Sequence, residues 1–239
     1  RHANRHLGAL LALVAGAVNA GGFLAVHQYT SHMTGFVSAI ADNLVLGNIL
    51  LVLGGLGSIL SFLCGAATTA VIVNWSRHRG LGSVYALPLV IEALLLLQFG
   101  LLGANLNTFI AITLPATVLL LCFIMGLQNA LVTKMSSAEI RTTHVTGVIT
   151  DLGIEIGKMI YWNRSNHRQA EGYVHANPDK LLTLALLLSM FFSGCLIGAI
   201  GFKTFGFATV LPFSALLTGI AIMPLIDDVL ALWRHRPRA

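Results

Sequence analysis

The sequence predicts an all-α polytopic membrane protein with an internal two-fold repeat, and three observations carry that prediction. Hydrophobic residues make up 56% of the chain and charged residues only 10%, where a soluble domain carries about 25% charged residues; the mean hydropathy is +0.83. Apolar runs of about 20 residues, the length that crosses a bilayer, follow one another along the chain. The 239 residues leave room for six to eight crossings and little else, which excludes a hidden soluble catalytic or nucleic-acid-binding domain. Finally, one polar cluster has a twin: Ser31-His32-Met33-Thr34-Gly35 is matched by Thr143-His144-Val145-Thr146-Gly147.

Taken in order, residues 7–26 form the first helix, preceded by basic residues. They are read as a membrane helix rather than a signal peptide, because no small-residue cleavage site is clear. Residues 34–53 are apolar but interrupted by Asp42 and Asn43, and Gly54-Gly55-Leu56-Gly57 is expected to break the run. Residues 59–75 form a helix rich in small residues, so one face can pack closely on a neighbour. A basic loop over 76–82 leads to a helix over 84–103 with a lone Glu92, and then a polar turn at 105–107.

The second half repeats that order. Residues 109–131 form a helix, 141–158 a polar stretch, 181–200 a small-residue helix and 205–232 the last helix, with a hydrophilic loop over 163–180. The first helix of each half ends in a shared signature, Gly16-Ala17-Val18-Asn19-Ala20 and Gly126-Leu127-Gln128-Asn129-Ala130. Pro88 and Pro212 fall early in the last helix of each half. The chain therefore divides into a first membrane repeat, 1–107, and a second, 108–239.

Basic residues generally stay cytoplasmic, and they arbitrate the topology. If both His-x-Thr-Gly segments cross, Arg77, Arg79, Lys134, Arg141 and Lys203 all fall outside. If both dip in and return, six full spans remain and only Lys203 falls outside. The second arrangement is favoured, with N- and C-termini cytoplasmic and the halves inverted. Eight spans with a parallel repeat is the alternative.

The chemistry concentrates in the polar segments. On a helix, His144, Asp151, Glu155 and Lys158 share one face; in the twin, His32 and Asn43 have the His144–Glu155 spacing, with Asp42 adjacent. Ionisable groups at membrane depth cost several kcal/mol unless paired or hydrated, so they face protein or water. Thr34 or Thr146 can cap a helix start, and the free N–H groups there suit an anion or a polar solute. The carboxylates favour a cation or a proton instead. In contrast, Asp151, Glu155 and Lys158 can simply form ion pairs on an interfacial helix, and Asn19 and Asn129 can simply bond helices together.

These motifs, together with Met125-Gly126 and Asp151-Leu152-Gly153, resemble the YoaK-like bacterial membrane proteins, a family classed as a domain of unknown function. The resemblance covers nearly the whole chain and implies a bacterial inner-membrane location. Asn19 and Phe36 stand where that pattern often has Asp and Asn, so the first half lacks a charge and a polar group.

The function expected is a permease or channel for a small molecule or ion, open to proton coupling. Its site would lie between the two segments. His144, Asp151 and Glu155 would bind the substrate or carry the proton, and His32, Thr34, Asp42, Asn43, Asn129 and Thr146 would complete the site, with Arg141 balancing charge or gating its mouth. An intramembrane enzyme with a His/carboxylate pair is the rival, although nucleophile and metal-ligand spacings are missing. A non-transporting scaffold is the third reading. No cofactor, metal or nucleic-acid partner is expected; the bilayer and a small solute are, and homo-oligomerisation is left open.

Overall fold

The computed structural model describes residues 2–105, 110–135, 145–161 and 174–234, with side chains from 5 to 226 within them. Arg141, His144 and most of the 163–180 loop lie outside the described residues. Those described form eight α-helices and one 3₁₀ turn: α1 (His2–Val26), α2 (Met33–Val45), α3 (Ile49–His78), α4 (Ala86–Ala104), α5 (Ile110–Met135), α6 (Val145–Ile160), α7 (Pro178–Phe205), the turn Gly206–Thr209 and α8 (Val210–Arg234). Five segments are long and apolar enough to cross a membrane: α1, α3, α4, α5 and the run Pro178–Ile226. The fifth is broken at Gly206, whose φ is +60°, into α7 and α8. Helices suit this composition because each backbone group bonds within its own segment and none is left bare in lipid.

Glycine decides where helices approach. A side chain on Gly16 of α1 would collide with the Phe191 carbonyl of α7, and one on Gly194 with the Leu13 carbonyl of α1. The same pair of contacts recurs between α5 and α3. A side chain on Gly126 would strike the Phe62 carbonyl, and one on Gly65 the Phe123 carbonyl. Gly16 and Leu13 lie 110 positions before Gly126 and Phe123, while Phe62 and Gly65 lie 129 before Phe191 and Gly194. Thus α1 packs on α7 as α5 packs on α3, and α4 packs on α8.

The contacts also give direction. Leu13, Ala17 and Gly21 of α1 meet Gly194, Gly198 and Phe202 of α7 in rising order, so these helices are parallel. Ser61, Thr69 and Asn74 of α3 bond Leu119, Leu127 and Lys134 of α5, again in rising order. By contrast, Leu11 and Gly22 of α1 meet Gln128 and Leu121 of α5 in falling order. Hence α1 is antiparallel to α5 and to α3. Helices α4 and α8 are antiparallel too, since Ser214 bonds the Ala93 carbonyl and Gly100 faces Val210.

One expectation needs correction. Gly54-Gly55-Leu56-Gly57 does not break the second apolar run; α3 passes straight through it. The break falls at Gly47, with φ +74°, because that residue turns the chain back. Gly55 instead makes room for Ile40 of α2. The result is a short α2 of 13 residues, about 20 Å long at 1.5 Å per residue. Its counterpart α6 has 16 residues, about 24 Å. Neither reaches the ~30 Å of a hydrocarbon core.

The core is made by α1, α4, α5 and α8, including Leu11, Val14, Phe99, Ile124 and Leu217. Around it, α2 and α3 expose Val45, Leu46, Leu50, Leu53 and Leu60. So continuous an apolar exterior is a lipid-facing surface.

Candidate functional site

A cavity of about 460 Å³ lies between the beginnings of α2 and α6. Its walls are Asn19 of α1, Tyr29, Ser31 and His32 of the connection, Met33 and Thr34 of α2, Val145, Thr146 and Gly147 of α6, Phe62 of α3 and Phe191 of α7. Phe62 is the fourteenth residue of the 30-residue α3, and Phe191 the fourteenth of the 28-residue α7. The cavity therefore sits near the middle of both long helices.

From there the two short helices leave in opposite directions. Helix α2 runs to the start of α3, where Asn48 donates its backbone N–H and its side-chain amide to the backbone and side-chain oxygens of Asn43 (2.9 and 3.1 Å). Helix α6 runs to the start of α7, where the Asn177 N–H donates to Glu155 Oε2 at 2.8 Å. Since α3 and α7 are antiparallel, those two ends lie on opposite sides of the cavity. Asn43 and Glu155 each stand eleven residues after their motif histidine, and Asn48 and Asn177 each precede a long helix.

The sequence motif acquires a physical meaning here. Helix α2 begins where the Thr-Gly step is, but Thr34 does not cap it. His32 occupies the cap position without a side-chain capping bond. A side chain on Gly35 would meet the His32 ring at Nδ1, so the glycine lets the imidazole fold over the first turn and face the cavity. Ser31 Oγ donates to Asn19 Oδ1 at 2.8 Å, tying the connection to α1.

Of the residues expected from sequence, His32, Thr34 and Thr146 share the cavity wall. Asp42, Asn43, Asn129, Asp151 and Glu155 do not line it. Asn129 is buried in α5, and Asp42 is exposed. Glu155 forms a clasp: its side chain is buried, Lys158 Nζ lies 2.9 Å from Oε1, and Lys180 Nζ lies 3.9 Å from the same oxygen and 3.4 Å from Asp151. The Asn177 N–H, and after it Lys158, hold the Glu155 carboxyl below its ordinary value. Of the ion pairs expected along this helix, Glu155–Lys158 is present, whereas Asp151 pairs with Lys180 of α7 instead.

Sequence reasoning left Tyr29, Phe62 and Phe191 out of the site, and treated Asn19 as a helix-to-helix bond. The aromatic residues look like any other apolar wall in the linear chain. Asn19 carried a signal, since it belongs to the signature that precedes each polar cluster. Elsewhere, Glu92 of α4 is fully buried, neither carboxylate oxygen is hydrogen-bonded among the described residues, and it does not line the cavity.

Comparison with known proteins agrees with this architecture. Residues 7–223 match the family model described as Protein of unknown function (DUF1275). The chain is 26% identical over 156 residues to the UPF0700 transmembrane protein YoaK of Bacillus subtilis (strain 168), covering 65% of this chain and 68% of that protein. No solved structure matches the chain. A helical membrane protein matched over residues 7–223, it belongs to the DUF1275 family of proteins of unknown function.

Proposed function

We propose that the protein is a permease or channel for a small polar solute or ion, and not an enzyme. The cavity carries this reading: a chamber near the middle of the long helices whose largely apolar wall holds Asn19, Ser31, His32, Thr34 and Thr146, reached from opposite sides by two helices too short to span. Broken or short helices that point their ends at a midplane site are the arrangement by which membrane proteins bind and pass solutes. Lipid-facing backbone of this kind would be untenable, whereas backbone lining a wet cavity is tolerated.

On this reading α1, α3, α4, α5, α7 and α8 make six spans, and the halves form an inverted repeat. The antiparallel packing of α1 on α5 and the matched glycine contacts support it. Arg77, Arg79, Lys134, Lys158 and Lys180 then share one side with both termini, and Lys203 lies on the other. That charge asymmetry makes the basic side cytoplasmic, with the bacterial inner membrane as the location. His32 provides a titratable group in the cavity, which leaves room for proton coupling.

The test is solute flux in vesicles reconstituted with the purified protein. Stopped-flow light scattering with urea, glycerol, potassium formate and potassium nitrate should show at least one solute crossing several-fold faster than in protein-free vesicles. Rates equal to those of empty vesicles for every solute, at comparable protein density, would overturn the reading.

A further inference from the structure

We propose that the cavity between α2 and α6 is a site for a small anion, and that Asn19 sets this preference. The proposal rests on the permeation reading and narrows its substrate class. Asn19 is only 8% exposed and lines the cavity. Ser31 Oγ donates to its Oδ1, so the oxygen is occupied and Nδ2 is the atom left for the cavity. Among the described residues no protein acceptor meets that Nδ2. Held by Ser31 and open to the cavity, that amide is placed to donate to an acceptor on a bound solute.

A second observation has the same sign. The first turns of α2 and α6 face one cavity from opposite sides, through Met33 and Thr34 on one and Val145, Thr146 and Gly147 on the other. On α2 the Met33, Gly35 and Phe36 N–H groups donate to the Ser31 and His32 carbonyls, so among the described residues the Thr34 N–H is the one without an acceptor, and each N-terminus acts as about half a positive charge. Two of them supply about one unit, with no lysine or arginine in the described lining. Acidic residues are equally absent from that wall. Asp151 and Glu155 are engaged with Lys158, Lys180 and Asn177 at the far end of α6, and Asp42 is exposed further along α2. The hydroxyls of Tyr29, Thr34 and Thr146 add further donors. A cation would meet two positive dipole ends here; a small planar anion accepts from both.

The test uses the purified full chain in detergent. Its unfolding midpoint is followed while sodium formate or sodium nitrate replaces sodium gluconate at constant ionic strength. The expected result is a saturable rise with formate and nitrate that is unchanged when sodium is replaced by potassium or choline. Asn19→Asp, which puts a carboxylate where the amide donates, should weaken the apparent affinity at least tenfold. Ser31→Ala, which frees the amide to turn, should weaken it severalfold and serves if the first variant does not fold. A rise that follows the cation, or titrations indistinguishable from gluconate, would overturn the anion site. Anion binding that persists in a protein giving no flux in vesicles would instead overturn the permeation reading and leave the site standing.

Discussion

At the scale of single residues, matching positions hold the two short helices to their long neighbours by different chemistry. Asn43 holds Asn48 through neutral amide bonds, whereas Glu155 holds Asn177, Lys158 and Lys180 through charge. Charge-assisted bonds are the stronger kind, so the α6–α7 junction depends on pH and the α2–α3 junction does not. The folded-state value of Glu155 is depressed below 4.5. Its contribution is therefore complete above that ordinary value and is lost as pH falls through the folded value. Glu155→Gln is expected to lower the thermal midpoint at pH 7, and the difference from wild type is expected to shrink progressively below about pH 4.5. A gap between the two proteins that stays constant down to pH 3, in melts of the detergent-solubilised chain, would contradict this. His-x-Thr-Gly was legible as a pattern but not as a mechanism. Only the folded first turn shows that Gly35 is there to admit the His32 ring.

At the scale of elements, most of the long helices could be read from hydropathy, since a spanning helix has little choice in lipid. The breaks could not. Four glycines lie in 54–65, and all are helical, while Gly47, just before that helix, turns the chain. Glycine's meaning depends on what faces it, and that is not local information. Substitutions separate the cases. Gly16→Ala and Gly126→Ala each place a Cβ against a backbone carbonyl of the partner helix. Each is expected to cost about 1–3 kcal/mol, the usual penalty of overpacking, and the two costs should be similar because the contacts match. At Gly54 nothing lies within 4 Å of an added Cβ. Gly54→Ala is therefore expected to be neutral or stabilising by up to about 1 kcal/mol through helix propensity. Unfolding free energies in mixed micelles measure all three; destabilisation at Gly54 equal to that at Gly16 would contradict the packing.

At the scale of the whole molecule, the two short motifs go with matching helix contacts, α1 with α7 and α5 with α3, and these support the proposed repeat. Of the residues that the sequence gathers into one site, Thr34 and Thr146 lie on the cavity wall, and the carboxylates of α6 do not. One-dimensional spacing places Glu155 on the same helical face as the motif, while the helix itself carries the residue to the far end. The proposed six-span topology has its own consequence. In a chain freed of Cys64, Cys122 and Cys195, Arg79→Cys should react with an impermeant thiol reagent only from the cytoplasmic side, and Asn105→Cys only from the opposite side. Reversal of both would support eight spans. The central functional claim is that solute passes the cavity between α2 and α6. In that cysteine-free chain, Thr34→Cys and Thr146→Cys each put one thiol on the cavity wall, and reaction with a bulky methanethiosulfonate reagent should then fill it. Flux in reconstituted vesicles is expected to fall at least tenfold on complete modification at either position and to recover on reduction; complete modification at both positions with unchanged flux would contradict the claim.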